Sequence, residues 1–421
     1  MRKEVYMENT IAFIGLGNRG YIYAKLAKGE ENLKITAICD NDAGSLKSVG
    51  ESLGVAEENR YLSADEFFAA GKLADAVVIS TPDATHYDLC MEAIGKGYDI
   101  LLEKPVAETA EECYNIAAAA QKAGRKVVVC HVLRYTDFYR TIKEIVASGE
   151  IGNVVHISQS ENVGFWHYTQ SFIRGKWKNS EETSPMILQK CCHDFDIINW
   201  LMDNSCVSVS SFGELSYFNP EHAPEGSAAN CCDCAIRENC LYNAIARSKE
   251  MPGTMNVPYA FDYSDKGIEA FLNDKDNDYG KCVFHSGNNV VDHQSVIMSF
   301  GNGATASLNM HAFAESTYRS TKVVGTKGEI VGLFDDESVS HVTVNVFAPF
   351  DRFSPRTIEI KKGCSGHGGG DAGLFKNFCA YVYENKTSDD ITGIDVSVAS
   401  HLMAFAAEKS RLGGGGTVKL E

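Results

Sequence analysis

Two hydrophobic rhythms divide the chain. In the first third, short runs that are apolar on both faces predict buried strands at Ile11 to Ile14, Ile35 to Cys39, Ala74 to Ser80, Asp99 to Glu103 and Lys126 to Val129. Helix-like segments separate them. One runs from Tyr21 to Lys28, and another from about His86 to Ile94. Two more are opened by the capping sequences Ser63-Ala64-Asp65-Glu66 and Thr109-Ala110-Glu111-Glu112. Strands alternating with helices imply a parallel sheet covered on both sides, a doubly wound nucleotide-binding domain over 1–131.

After His131 the rhythm becomes strict alternation. Between Asn153 and Val163, Val155, Ile157 and Gln159 share one face, and Val154, His156 and Ser158 the other. Between Ala304 and Phe313, Ala306, Leu308, Met310 and Ala312 oppose Thr305, Ser307, Asn309 and His311. Phe300-Gly301-Asn302-Gly303-Ala304 reads as a hairpin turn after a strand from Val290 to Phe300. Further strands are expected at Cys206 to Phe212, Tyr318 to Val324, Glu329 to Phe334 and Val342 to Phe347. Asp371 to Glu384 and Asp395 to Leu412 read as closing helices, and Gly413 to Gly416 as a turn. The second domain, 132–421, therefore carries a mostly antiparallel sheet whose polar face can line a site or an oligomer interface. An irregular, cysteine-containing stretch interrupts it at 219–289.

The first apolar run ends in Gly15-x-Gly17-x-x-Gly20 and opens a helix. Gly15 permits a tight turn, Gly17 lets backbone approach a pyrophosphate, and Gly20 lets the helix pack on its strand. The next strand ends in Asp40, twenty residues beyond Gly20, where a carboxylate accepts hydrogen bonds from an adenosine ribose. Dinucleotide binding follows, with NAD favoured over NADP because Asp40 repels a 2′-phosphate and neighbouring Asn41 and Asp42 supply no arginine. Asn18, Arg19, Thr81, Pro82, His86 and Glu103 are assigned to the same cofactor site.

A formal charge of −17 over 421 residues argues against nucleic-acid and anionic-membrane partners. No apolar run approaches the roughly 18 residues of a membrane span, and the N-terminal residues lack a signal core, so a cytoplasmic protein is expected. Most of the fourteen cysteines, including Cys39, Cys90, Cys113, Cys130, Cys364 and Cys379, read as small buried hydrophobes. A cluster at Cys231, Cys234 and Cys240, with Cys282 as a fourth ligand, has the spacing of a structural zinc site, to be set against a group of free thiols.

Glu103-Lys104-Pro105 lies at a strand end, the edge at which such sheets bind ligands. Lysine there can touch the nicotinamide end of a cofactor, hydrogen-bond a substrate hydroxyl or shuttle a proton; the plain alternative is a solvated lysine. Gly15-Leu16-Gly17-Asn18-Arg19-Gly20, Glu103-Lys104-Pro105, the alternating second domain and His193-x-x-Asp196 together resemble the glucose–fructose oxidoreductase / inositol dehydrogenase (Gfo/Idh/MocA) family over essentially the whole chain. The resemblance implies a Rossmann domain joined to an α/β domain with a large open sheet. It also implies NAD or NADP, hydride transfer with a sugar, cyclitol or glycoside, and Lys104 and His193 as catalytic pair. Where the family usually has Asp-x-Gly-x-His, this chain has Gln189, Cys191 and His193, with Lys190 adjacent. Gln189 hydrogen-bonds a hydroxyl but takes no proton, which shifts the load to Lys104 and His193.

His131, Arg134 and His167, near the polar and aromatic run Glu161 to His167, are substrate-binding candidates together with Gln189, Lys190 and His367. For His131, Arg134, Glu161, His167 and Arg174 a structural hydrogen bond is the competing role. His367-Gly368-Gly369-Gly370-Asp371 resembles a segment of NAD-dependent glycoside hydrolases in this superfamily; otherwise it is a glycine loop whose Asp371 caps a helix. Besides the dehydrogenase, two alternatives follow: a redox-neutral glycoside hydrolase working through a 3-keto intermediate, and a non-catalytic sugar- or dinucleotide-sensing regulator. A homo-oligomer is expected.

Overall fold

The apolar runs of the first third form β1 (Asn9–Ile14), β2 (Leu33–Cys39), β3 (Arg60–Tyr61), β4 (Ala76–Ile79), β5 (Asp99–Leu102) and β6 (Val127–Val129) of a computed structural model. It describes residues 8–251, 261–335, 338–348, 355–361, 363 and 366–420; Cys364 and residues 1–7 lie outside them. The six strands lie in the order β3-β2-β1-β4-β5-β6, every pair parallel. Strand order reverses between β1 and β4, which sets a ligand crevice at the carboxyl ends of those strands. The expected helices flank the sheet. Thr109 and Glu112 exchange side-chain-to-backbone bonds and start the helix Ala110–Ala123.

The chain divides into two compact units. Of the described residues, the first takes those up to His131, Phe261 and Asp371–Val398, and the second takes the rest. The span 132–421, read from sequence as one domain, is thus interrupted. The returning segment is bonded to the first sheet: Val129 N–H donates to Thr392 O at 2.8 Å, Tyr383 OH to Thr10 O at 2.9 Å, and Lys126 Nζ to Tyr381 O at 2.6 Å.

The second unit is built on β7 (Val154–Gly164), β8 (Cys206–Glu214), β9 (His293–Phe300), β10 (Thr305–Ala314), β11 (Tyr318–Gly325), β12 (Gly328–Asp335), β13 (Ser340–Val346), β14 (Arg356–Ile360) and β15 (Val418–Lys419). Their order is β14-β13-β12-β11-β7-β10-β9-β8-β15, antiparallel throughout except for β7 beside β10. One face is buried: Ile157, Ala306, Leu308, Met310, Val323 and Ile330 join a core with Phe138 and Ile142 of helix Asp137–Ser148 and Phe195 and Ile198 of helix Cys192–Met202. The other face is largely polar.

The stretch 219–289, expected to be irregular, contains two helices, Ala244–Glu250 and Asp265–Asn273. Each starts at a residue that reads as loop chemistry, Asn243 accepting from Ile245 and Ala246 N–H, and Ser264 from Gly267 N–H. No helix among the described residues is long and apolar enough to cross a membrane.

Candidate active site

The glycine turn is closed on two sides and open on the third. A Cβ on Gly15 (φ +90°) would stand 2.8 Å from the Ser80 carbonyl, and one on Gly20 2.0 Å from Gly15 O. A Cβ on Gly17 would meet nothing within 4 Å. Ser80 Oγ donates to Gly15 O at 2.9 Å, and Asp40 Oδ2 accepts the Leu16 amide at 2.6 Å, so strand ends on either side hold the turn. Helix Asn18–Gly29 begins there with no side-chain cap and no acidic residue in its first turn. Open space at Gly17 and an uncapped, positive helix end fit a dinucleotide pyrophosphate. Asp40, half-buried at the end of β2, stands where the ribose is expected.

Arg19 and Glu103, assigned from sequence to the cofactor, are engaged with each other. Arg19 Nε donates to Glu103 Oε1 at 2.7 Å, Nη2 to Asp371 Oδ1 at 2.7 Å and to Tyr23 OH at 2.5 Å. Glu103 Oε2 accepts the Lys104 amide at 3.0 Å. Burial alone would raise the Glu103 pKa; Arg19, then Lys104, override it and hold the carboxyl below its ordinary value. The network ties the glycine-loop helix to the end of β5 and fixes the backbone that carries Lys104. It also takes up Asp371, which therefore acts as Arg19's partner.

His86 is buried between Pro105 O, 2.8 Å from Nδ1, and Thr81 O, 3.0 Å from Nε2. Burial lowers its pKa, which favours the neutral ring. The imidazole joins the turn after β4 to the turn after β5, so its role is to brace Thr81, Pro82 and the cis Lys104–Pro105 bond. Thr81 is half-buried; Pro82 and Asn18 are exposed.

In the second unit, His193 lies in the first turn of helix Cys192–Met202, 6% exposed, with its ring centroid 6.2 Å from that of His367. His367 has φ +51°, followed by Gly368 and Gly369 at +60° and +95°. A non-glycine residue held in that region costs about 1–3 kcal/mol and tends to mark ligand-binding positions. Gln189 is buried beside Lys190, whose Nζ is 3.4 Å from Glu161 Oε1. Glu161 Oε2 is 2.5 Å from Arg319 Nη2, Arg319 Nε donates to Asp194 Oδ1 at 3.0 Å, and Gln159 Nε2 donates to the same oxygen at 2.8 Å. Burial pushes the Glu161 pKa up, against the pull of Arg319 and Lys190. The structure thus gathers His193 and His367 by their rings, and Lys190 into a buried charge network.

Other candidates go elsewhere. Arg134 donates to both oxygens of Asp196 at 2.6 Å, 2% exposed, its guanidinium 5.4 Å from the Trp200 ring. This pairing supports the structural role. His167 is exposed and stacks on Phe172, and His131 is fully buried at the end of β6. Gln159, Asp194 and Arg319 were not singled out from sequence. Gln159 and Glu161 are in phase with the core residue Ile157, and polar residues at inward positions were the available signal.

Cys231, Cys234, Cys240 and Cys282 line one small cavity. Among the described residues, however, no group of three or more His, Cys, Asp or Glu side chains is set to hold a metal ion as it stands, so no ready-made ligand set supports zinc.

A parallel sheet with its reversal at an open glycine turn, followed in the chain by a large open sheet, is the architecture of a Rossmann-fold dinucleotide-binding protein. The chain belongs to the Gfo/Idh/MocA oxidoreductase family: residues 9–131 match its NAD-binding Rossmann model and 143–420 its C-terminal alpha/beta model. YteT of Bacillus subtilis (strain 168), which carries a provisional oxidoreductase name, is 26% identical over 96% of this chain and 97% of its own length. Scyllo-inositol 2-dehydrogenase (NAD(+)) of the same organism is 28% identical over 48% of this chain and 57% of its own. A levoglucosan dehydrogenase solved with NADH and levoglucosan superposes with a TM-score of 0.71 at 16% identity, covering 98% of this chain and 99% of that one, and so shares the fold.

Proposed function

We propose that this oxidoreductase transfers hydride between a hydroxyl-bearing carbon of a sugar, cyclitol or glycoside and NAD. The observation that carries the reading is the open space over Gly17 at an uncapped helix end, on the sheet edge from which Lys104 also projects its backbone. Bound nicotinamide supplies the hydride acceptor or donor. Gly15, Gly17 and Gly20 shape the pyrophosphate cradle, and Asp40 takes the ribose hydroxyls, which favours NAD over NADP. Lys104 and His193 form the proton-handling pair: His193 takes the hydroxyl proton on oxidation, and the Lys104 ammonium hydrogen-bonds the same oxygen as charge develops on it. Gln189, Lys190 and His367 bind sugar hydroxyls. The relatives named for inositol and levoglucosan support a polyhydroxylated substrate.

Two further expectations belong to this reading. Fourteen cysteines suit a reducing, cytoplasmic setting. Phe212 on β8 and Ile297 on the adjacent β9, 65% and 64% exposed on the open sheet face, suit an interface between copies of the chain.

The test is calorimetric titration of the full chain with NAD+ and NADP+, followed by a screen of sugars, cyclitols and glycosides for NADH formation. Tighter binding of NAD+ and substrate-dependent NADH are expected. If neither dinucleotide binds, the reading fails. Sustained aglycone release without net NADH would replace it with the redox-neutral hydrolase, for which the strained His367 near His193 is the supporting observation.

A further inference from the structure

The cysteine-bearing stretch has no part in the proposed reaction, yet three separate pieces of chain deliver four thiols to one place. Cys231 opens and Cys234 follows a 3-10 turn, and Cys240 follows a second one, Arg237–Asn239. Cys282 is brought alongside by a bridge between Asn230 and Lys281, its own amide donating to Ala229 O at 2.8 Å. The cavity between them has about 20 Å³ of space, room for one water-sized particle, and apolar Pro224, Ile236, Val283 and Phe284 complete its wall.

Arg174 lines the same cavity and is 1% exposed. Its Nε donates to Lys281 O at 2.7 Å and its Nη2 to Tyr242 O at 2.6 Å, with Nη2 also 3.8 Å from Cys231 Sγ. Nη1 is buried without a hydrogen-bond partner among the described residues. The Trp166 ring, 5.8 Å away, is a weak counterpart for a full positive charge. A buried guanidinium next to neutral thiols is costly, whereas beside an anionic centre it is stabilising.

We propose that Cys231, Cys234, Cys240 and Cys282 form a structural four-thiolate centre for a single thiophilic divalent cation, with Arg174 as its buried counter-charge. Four S–H bonds break, four metal–sulfur bonds form and four protons leave to solvent, with no change of oxidation state. The product carries two net negative charges, and the Arg174 guanidinium that lines the cavity, its Nη2 3.8 Å from Cys231 Sγ, is the positive group beside it. Because the four side chains line the cavity without being set as a ligand group, binding turns them inward, and the ion ties the 3-10 turns at Cys231–Asp233 and Arg237–Asn239 to the chain at Cys282. The cavity's size favours one ion over a cluster.

The full chain, purified under reducing conditions, is analysed for bound metal by mass spectrometry and then reconstituted with Zn²⁺ or Co²⁺. One ion per chain is expected, with the thiolate-to-cobalt charge-transfer band of a tetrahedral sulfur site. Cys234→Ser and Cys282→Ser should each weaken binding at least tenfold. Cys232→Ser, in the same turn but outside the cavity lining, should not. Arg174→Met should weaken Zn²⁺ binding without changing the stoichiometry at saturation. Folded protein that holds no metal as purified and gives no cobalt band overturns the proposal. So does zinc retained by both serine variants, or iron with inorganic sulfide in its place. Should the serine variants fail to fold, the cobalt spectrum of the unaltered chain decides.

Discussion

The two units hold their candidate catalytic side chains in different ways. Lys104 sits on a strand-end turn braced by near neighbours on the same sheet edge: Glu103 beside it, Arg19 from the glycine-loop helix and His86 from the start of helix His86–Gly95. His193 sits on a helix above a sheet whose inward charges, Glu161 on β7 and Arg319 on β11, are directly opposite in register, with Arg319 also reaching Asp194 on the same helix. The first arrangement depends on turns and spacing. The second depends on which residues of distant strands are paired, and so on long-range register. A site of the first kind can be read from a short motif; one of the second kind needs the sheet.

Substitutions can sharpen that contrast. The largest effect is expected at the proposed pair: Lys104→Ala and His193→Ala should each lower kcat by about 10²–10⁴-fold with circular dichroism unchanged. Turnover equal to the parent in either variant would remove that residue from the chemistry. Next come the buried ion pairs. Arg19→Met removes the cation paired with Glu103 and Asp371, and Arg134→Met the one paired with Asp196; each should lose about 3–5 kcal/mol in urea unfolding. Arg134→Met should leave KM of the surviving folded fraction near the parent value, and a large rise in KM would restore the substrate role.

A smaller, sharper pair lies in the glycine turn. Gly20→Ala drives a methyl into Gly15 O and should cost about 1–3 kcal/mol of stability. Gly17→Ala meets no protein atom within 4 Å and should leave Tm unchanged while weakening dinucleotide binding at least tenfold, as calorimetry would show.

Acid should separate the units most gently. Glu103 has a lowered pKa, so the unfolded chain takes its proton first, and the stability it contributes is lost as pH falls from about 4.3 through the lowered value. His86, also lowered, is held neutral in the fold; below about pH 6.5 the unfolded chain gains a proton that the folded one refuses, and stability falls. Glu161 is raised and runs the other way, favouring the folded state on the acid side. Hydrogen exchange at pH 5 and pH 7 should therefore show β4 and β5 losing protection before β7 and β11. The reverse order would contradict the assignment.

Much of this was legible in the chain. Runs apolar on both faces marked the parallel strands, and period-two alternation placed β7 and β10 with their inward faces correct from Ile157 and Ala306 onward. Gly15, Gly17, Gly20 and Asp40 took the positions their spacing implied. Helix Asp137–Ser148 was missed, although Thr136 caps it and Phe138, Ile142 and Ile145 are buried on one side. Arg134, Arg19 and Glu103 were legible as important charged groups but not as one another's or Asp196's partners, because pairing depends on residues as far away as Asp371. The buried network around Glu161 was hidden for the same reason: strand register is not written in either strand alone.

The late return of Asp371–Val398 to the first sheet bears on how the molecule can be taken apart. A fragment cut after His131 would keep the whole glycine motif yet lack the carboxylate that clasps Arg19 and the carbonyl of Thr392 that pairs with β6. Anyone wanting the nucleotide half by itself must graft that downstream piece onto it, and a ribosome making this protein must pass Thr392 before the earliest strands receive these partners.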